Sequence, residues 1–282
     1  MLGQNEPVSH YIQVDGCEIH VSEWGLDKPH AILMWHGLAR TGRDFDHIAQ
    51  VLSKHYRILC PDTLGRGLSQ WANDPDQQYS FDFYEKIALK ICEIFGFYSF
   101  DYIGTSMGGA LGIRLASGPL KNNINHLIIN DIAPELAPSA VERILTYVGN
   151  PPVFNNMSDL EEYLRTIYEP YGYLTDEQWR LMCETSYRRM DHGHLTTHYD
   201  PKIVTQFTAH PDDYDLWDEY AQITCPTLVL RGQMSDLLLP KWAEQMTQTG
   251  PKAQVIEIEG CGHAPALNKS QQIQIVENFL KG

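Results

Sequence analysis

The segment FDYIGTSMGG, residues 100–109, decides how the chain is expected to fold. Its first half is an apolar run typical of a strand buried on both faces, and its second half has the pattern of a helix start. The turn between them reads G-x-S-x-G, with Gly104 and Gly108 on either side of Ser106. Glycines at these two positions keep the backbone of a sharp turn free of Cβ clashes. The Ser106 hydroxyl is therefore predicted to project from the turn, where it can act as a nucleophile.

Outward from this turn, strand and helix patterns alternate along most of the chain. The sequence opens with a predicted hairpin whose turn is Asp15-Gly16, a favoured pair for two-residue turns. Near-continuous apolar runs then alternate with amphipathic helical patterns. The predicted buried strands cover residues 31–35, 56–62, 100–106, 126–131 and 227–232. This alternation predicts an α/β protein with a mostly parallel, doubly wound sheet.

Residues 134–222 break the alternation, because they contain helical patterns without a convincing buried strand. Two capping boxes, at 158–161 and 175–178, predict two helices there. The stretch holds 16 acidic residues, 6 basic residues and 13 aromatic residues. An acidic exterior with an aromatic interior is typical of a helical cap over an apolar pocket, although an oligomer interface would look similar. We therefore predict a core of residues 1–133 and 223–282, with residues 134–222 inserted as a cap.

A serine nucleophile needs a base and a carboxylate that orients the base. His263 is the candidate base, because it lies in the glycine-rich stretch GCGHAP at the end of the last predicted strand, AQVIEIEG (253–260). Asp236, in the loop after the strand at 227–232, lies between Ser106 and His263 in the chain order that this arrangement requires. Asp131 is the rival carboxylate, since it ends a strand at the same sheet edge, but it also fits as the hinge of the cap. We favour Asp236 as the third member and keep Asp131 as the alternative.

The oxyanion of an acyl-transfer intermediate needs two N–H donors. One is expected from Met107, directly after the nucleophile, and the other from Leu38 in the turn His36-Gly37-Leu38. His36 is predicted to be a buried imidazole that braces this loop rather than a catalytic group.

Composition excludes several other classes of protein. The 282 residues carry a formal net charge of −15, which repels nucleic acid and anionic lipid surfaces. The apolar runs are far shorter than the roughly 20 residues that span a bilayer. The first ten residues have neither a basic cluster nor an apolar stretch, so no signal peptide and a cytoplasmic location are expected. No pattern indicates the oligomeric state.

No metal or cofactor is expected either. The six cysteines are scattered without a CxxC pair, which suits reduced thiols in the core. His192, His194 and His198 are closely spaced, but no cysteine or carboxylate spacing completes a known metal site around them. The chain also lacks a phosphate-binding glycine motif.

With these residues in this order, the chain resembles the α/β-hydrolase fold superfamily. The segments CPDTLGRGLS (60–69), IGTSMGG (103–109) and GCGHAP (260–265) are similar to those of capped bacterial serine carboxylesterases and related meta-cleavage product hydrolases. The resemblance covers nearly all residues from Tyr11 onward. It implies a serine hydrolase that cleaves small carboxylic esters through an acyl-enzyme. Neutral esters are expected to react faster than anionic compounds, because the predicted cap is acidic.

Two other functions stay open. Hydrolysis of carbon–carbon bonds in ring-cleavage products uses the same triad, but similar enzymes commonly carry a tryptophan after the catalytic histidine and a glycine-rich HGGGPG-like segment. This chain has Ala264 and HGLARTG (36–42) at those places. The second alternative is a hydrolase-like receptor for a small ligand, which saturable turnover of model esters would separate from an enzyme.

Overall fold

The computed structural model describes residues 6–282. The expectation about a signal peptide rests partly on residues 1–5, which lie outside the described part. Within the described residues, no helix combines the length and the apolar character that crossing a membrane requires.

Eight strands form one sheet in the order β1-β2-β4-β3-β5-β6-β10-β11. They are β1 (Val8–Val14), β2 (Cys17–Trp24), β3 (His30–Trp35), β4 (Tyr56–Pro61), β5 (Phe100–Thr105), β6 (Ile124–Asn130), β10 (Thr227–Gly232) and β11 (Gln254–Ile258). The hairpin β1–β2 is antiparallel and β2 runs antiparallel to β4, whereas the other neighbours are parallel. The predicted hairpin and the mostly parallel sheet are therefore confirmed.

Two hydrophobic clusters lie on opposite faces of this sheet. Leu33 and Tyr102 belong to one cluster, whereas their chain neighbours Ile32 and Ile103 belong to the other, because successive strand side chains point to opposite faces. The first cluster includes side chains of α3 (Phe81–Phe95), α4 (Met107–Ser117) and α10 (Pro240–Gln248), and the second those of α1 (Asp46–Leu52) and α11 (Ser270–Leu280). The sheet is thus covered by helices on both faces. One further short helix, α2 (Pro75–Gln78), precedes α3.

Residues 134–222 lie between β6 and β10 and form five α-helices, three short 3₁₀ helices and a small antiparallel sheet. The helices are α5 (Pro138–Val148), α6 (Met157–Ile167), α7 (Asp176–Glu184), α8 (Thr205–Ala209) and α9 (Trp217–Ala221). The strands are β7 (Val153–Phe154), β8 (Tyr187–Arg189) and β9 (Leu195–Thr197), in the order β7-β9-β8. The sequence analysis did not predict these three strands, since strands of two or three residues are too short to show a periodic pattern.

The helix starts in this segment match one of the two predicted capping boxes. Thr175 and Gln178 form the reciprocal bonds of a capping box at the start of α7. The box predicted at Ser158 is wrong, because α6 begins at Met157 and the side chain of Asn156 caps it by accepting from the Asp159 N–H. A third hydrophobic cluster, built on α6 and α7, gives the segment a core of its own.

Candidate active site

Ser106 lies in the predicted turn between β5 and α4. Its φ of 52° and ψ of −119° are unusual for a residue with a side chain, and they raise its hydroxyl above the sheet edge. Both flanking glycines are required sterically. A Cβ on Gly104 would lie 2.2 Å from the carbonyl oxygen of Gly108, and a Cβ on Gly108 would lie 2.0 Å from that of Trp35. The turn predicted from the sequence therefore forms, and its close backbone packing explains its glycines.

His263 lies on the loop after β11 and contacts Ser106. Its Nε2 is 2.9 Å from the Ser106 Oγ, and its Nδ1 is 2.7 Å from Oδ2 of Asp131. Because the carboxylate accepts at Nδ1, that nitrogen carries the proton and Nε2 is left to accept from the serine hydroxyl. This chain of hydrogen bonds can transfer the hydroxyl proton to the imidazole when the oxygen attacks a carbonyl.

The carboxylate in this arrangement is Asp131, not Asp236. Asp131 follows β6, which lies directly beside β5 and parallel to it, so Asp131 and Ser106 leave the sheet at the same edge. It is fully buried, and it also accepts hydrogen bonds from the Gly232 N–H and the Ser235 hydroxyl. These donors hold the carboxylate in its orientation toward His263.

The prediction for Asp236 is therefore wrong. Its side chain is 59% exposed on the loop after β10 and forms an ion pair with Arg143 at 2.7 Å. The loop instead contributes Ser235, whose hydroxyl binds Asp131. The reading of Asp131 as only a hinge residue is also wrong, although its φ of 63° does mark a sharp bend where the chain leaves β6 for residues 134–222.

The two predicted oxyanion donors lie beside Ser106. Met107 is the first residue of α4, and Leu38 lines the same cavity as Ser106 and His263. Gly37 lies against the turn, where a Cβ would be 3.5 Å from the Cβ of Ser106. Within the described residues, neither the Leu38 nor the Met107 N–H is bonded to another part of the chain. Both amides are therefore available to a ligand oxygen.

Arg66 supports this pair of donors, and sequence reasoning did not identify it. Its guanidinium is fully buried, its Nε donates to the Leu38 carbonyl at 2.8 Å, and its Nη2 lies 3.6 Å from the Met107 sulfur. Tyr84 accepts a further hydrogen bond from it. One buried cation thus connects the two segments that carry the predicted oxyanion donors. The signal for it is the segment CPDTLGRGLS, in which Arg66 stands between two glycines.

His36 has the surroundings expected of a bracing residue. It is fully buried, its Nε2 accepts from the Thr63 N–H at 2.9 Å, and its Nδ1 lies 2.7 Å from the Gly37 carbonyl oxygen. These bonds require a neutral ring with the proton on Nδ1. Burial lowers the pKa of His36 to about 4, so the ring stays neutral near pH 7. The loop that carries Leu38 is thereby tied to the loop after β4.

A cavity of about 300 Å³ opens above Ser106 and His263. Its walls come from the loops after β3 and β10 and from residues 134–222, and they are mostly apolar or aromatic. The contributing side chains of that segment are Arg143, Ile144, Tyr147, Val148, Ile167, Tyr168, Pro170 and Tyr171. Pro170 also accepts a 2.6 Å hydrogen bond from the N–H of Gly262, directly before His263. The inserted segment therefore contacts the loop that carries His263.

A second cavity of about 300 Å³ adjoins the first at Thr105 and Tyr171. Its walls include Phe45, Met182 and Leu267, and neither Ser106 nor His263 lines it.

The closely spaced histidines of residues 192–198 lie in different environments. His192 is exposed to solvent, whereas His198 is buried and its Nδ1 accepts a hydrogen bond from the Gly67 N–H.

The comparison with known proteins decides the family. A model of the alpha/beta hydrolase family matches residues 32–274. The chain belongs to the alpha/beta hydrolase family. The hydrolase is 38% identical over 274 residues to the 3-hydroxybutyrate-oligomer hydrolase of Cupriavidus necator, and the match covers 92% of each chain. The expected superfamily and fold class are thereby confirmed.

Solved structures agree with this assignment. A putative hydrolase from Rickettsia typhi superposes with a TM-score of 0.89 at 29% identity, over 98% of the hydrolase and 99% of that chain. An alpha/beta hydrolase from Novosphingobium aromaticivorans gives a TM-score of 0.85 at 30% identity, over 98% of both chains.

Proposed function

We propose that the hydrolase cleaves small carboxylic esters through an acyl-enzyme on Ser106. The observation that carries the proposal is the continuous hydrogen-bonded chain from the Ser106 hydroxyl through His263 to the buried carboxylate of Asp131. No metal or cofactor is needed for this chemistry, because the chain itself supplies a nucleophile, a base and oxyanion donors.

In this mechanism His263 takes the Ser106 proton as Oγ attacks the ester carbonyl. Asp131 stabilises the imidazolium, and the amides of Leu38 and Met107 donate to the oxyanion. His263 then protonates the departing alcohol, which leaves the acyl group on Ser106. Water attacks that ester with His263 as base, and the acid is released.

Residues 134–222 act as a cap in this proposal. Their side chains form one wall of the cavity over Ser106, and Pro170 binds the loop that precedes His263. Such a cover excludes water from the ester bond and selects the substrate by shape.

The substrate class that we propose is the short linear ester of small hydroxy acids. The name of the relative at 38% identity supports it, since 3-hydroxybutyrate oligomers are esters of this kind. The sequence led us to expect neutral esters, whereas each linear oligomer of this class ends in a carboxylate.

The walls of the cavity do not support the expected discrimination against anions. None of the acidic residues of 134–222 that the structure describes lines the cavity over Ser106, whereas Arg143 of this segment does. The acidic side chains that give the segment its net charge of −10 therefore lie outside the cavity wall. The net charge of a segment is thus a poor guide to the charge inside its pocket.

The test is a substrate panel with purified protein. It compares p-nitrophenyl butyrate, a linear 3-hydroxybutyrate trimer and an anionic ring-cleavage product, each with wild-type protein and with Ser106→Ala. We expect kcat/KM for both esters to reach at least about 10⁴ M⁻¹s⁻¹ and to exceed that of the ring-cleavage product at least about tenfold.

Two outcomes would contradict the proposal. A higher kcat/KM for the ring-cleavage product would assign the enzyme to carbon–carbon hydrolysis. Binding of esters without saturable turnover would assign it to the receptor class.

A further inference from the structure

An ion pair joins the inserted segment to the core at the cavity over Ser106. Arg143 lies on α5 and Asp236 on the loop after β10, and Nη2 of the arginine is 2.7 Å from Oδ2 of the aspartate. Both side chains line the cavity that contains Ser106 and His263. They are 48% and 59% exposed, so water reaches both partners. An exposed pair of this kind is weak, and a competing anion can replace the aspartate.

The second arginine of this cavity is not available in the same way. Arg40 is only 3% exposed, its Nε and Nη2 donate to the Asp44 carboxylate, and its Nη1 donates to the Ser186 hydroxyl. A buried guanidinium with these partners has little capacity left for a ligand. Among the described residues that line the cavity, Arg143 is thus the cation that a substrate can reach.

The guanidinium of Arg143 suits a carboxylate. It presents five N–H donors in a planar fork that matches two carboxylate oxygens, and among the described residues Asp236 is its one charged partner. Asp236 is also the one carboxylate among the described residues that line this cavity. A substrate anion that enters the cavity can therefore bind Arg143, but it must compete with Asp236, which already binds that arginine.

We propose that Arg143 binds the terminal carboxylate of an ester substrate and that Asp236 occupies Arg143 when the site is empty. The inference rests on the proposed function, whose substrates end in a carboxylate. In a linear hydroxy-acid ester, that carboxylate belongs to the unit whose hydroxyl is esterified. It therefore leaves with the alcohol when Ser106 is acylated. Arg143 holds the leaving half of the substrate, and the acyl half stays on Ser106.

This position has a kinetic consequence. Arg143 contributes to binding and acylation, which kcat/KM reports, and it no longer touches the substrate when water attacks the acyl-enzyme. Replacement of Asp236 should have the opposite effect and raise kcat/KM for a substrate with a free carboxylate, because it frees the Arg143 guanidinium. The two residues thus tune the preference between esters that carry a free carboxylate and esters that do not.

The experiment compares the 3-hydroxybutyrate dimer with its methyl ester, in which an uncharged group replaces the terminal carboxylate, and follows cleavage of the ester bond between the two hydroxybutyrate units. The quantity measured is the selectivity ratio, kcat/KM for the free acid divided by kcat/KM for the methyl ester. We expect Arg143→Gln to lower this ratio about tenfold and Asp236→Asn to raise it about threefold. The matched control is Arg180→Gln, which removes an exposed arginine of the same segment that does not line the cavity, and should leave the ratio unchanged.

A double variant separates direct contact from a general electrostatic field. If Asp236 acts by occupying Arg143, Asp236→Asn has no effect on the ratio in the Arg143→Gln background. A field effect would persist there, and this result would overturn the proposal. An unchanged ratio in Arg143→Gln would overturn it as well.

The proposed function is checked separately in the same proteins. Turnover of p-nitrophenyl butyrate by the wild type, lost in Ser106→Ala, establishes ester hydrolysis whether or not Arg143 affects the ratio. Binding of free 3-hydroxybutyrate to Ser106→Ala, measured by calorimetry, tests the anion site without turnover. We expect this affinity to fall about tenfold when Arg143→Gln is added, and an unchanged affinity would contradict the anion site.

Discussion

The carboxylate of Asp131 and the imidazole of His263 are joined by a 2.7 Å hydrogen bond, although 132 residues separate them in the chain. The bond is possible because β6, β10 and β11 are successive neighbours in the sheet, so the loops that follow them leave at one edge. Two further donors hold the carboxylate: the N–H of Gly232 at the end of β10 and the hydroxyl of Ser235 in the loop after it. Three strands thus determine the orientation of one imidazole.

Replacement of each aspartate tests this relationship. Asp131→Asn should lower kcat for p-nitrophenyl butyrate by about 10⁴, because an amide in that place favours the wrong tautomer of His263. Asp236→Asn should retain kcat within about tenfold, since its carboxylate binds Arg143 and not the base. Steady-state kinetics decides between them, and a larger loss in the Asp236 variant would restore Asp236 to the triad.

The close packing of the turn at Ser106 predicts a stability effect. Gly108→Ala places a methyl group where the Trp35 carbonyl oxygen would be 2.0 Å away, so either the turn or β3 must move. We expect a loss of about 2 to 4 kcal/mol in the free energy of unfolding, with loss of ester turnover.

Gly149→Ala is the matched control for this variant. Its added Cβ would have ordinary contacts of 3.5 Å with Val204, and its φ of −72° suits alanine. Urea unfolding measures the loss in the free energy of unfolding for each of the two variants relative to the wild type. Equal costs would show that the packing of Gly108 against Trp35 has no special consequence.

Two buried histidines predict how stability depends on pH. Burial lowers the pKa of His36 to about 4 and that of His198 to about 3, against 6.5 for an unhindered imidazole. The unfolded chain therefore binds more protons than the native state below pH 6.5, and stability is lost as the pH falls from 6.5 toward 4. Each of the two histidines should lower the free energy of unfolding by about 2 kcal/mol when the pH falls from 7 to 5.

The variant His198→Asn isolates one of these contributions. Its amide oxygen can still accept from the Gly67 N–H, which His198 Nδ1 now does, but it does not titrate. The loss of stability between pH 7 and pH 5 should be about 2 kcal/mol smaller than in the wild type. His192→Asn, at an exposed position, should not change it. Identical pH dependence in all three proteins would contradict the assignment of His198 as a neutral buried group.

Elements with strong local patterns could be predicted from the sequence. The strand predicted at 227–232 has the same bounds as β10, and the capping box at Thr175 begins α7. Prediction was wrong where two local signals compete. Asn156 and Ser158 are both good helix caps, and only the structure shows that the backbone turns at Asn156.

Those site residues that stand in a recognisable motif could be predicted from the sequence. Ser106 and His263 stand in recognisable motifs, whereas the carboxylate had to be chosen between Asp131 and Asp236, both of which lie between them. Side-chain contacts decide this choice, because Asp131 binds His263 whereas Asp236 binds Arg143. Sheet order alone favours neither aspartate, since β10 lies between β6 and β11. Such contacts between distant segments cannot be derived from a single sequence. Arg66 was missed for the same reason, since its contacts with Leu38 and Met107 connect two loops and the start of α4.

Covalent labelling with a fluorophosphonate, followed by peptide mapping, tests the central claim most directly. Ser106 should carry the phosphonyl group, because this reagent reacts with a serine that an adjacent imidazole activates. The labelling rate should fall by about 10³ or more in His263→Ala and Asp131→Asn and should be retained in Asp236→Asn. A label on another residue, or equal rates in the wild type and Asp131→Asn, would contradict the account.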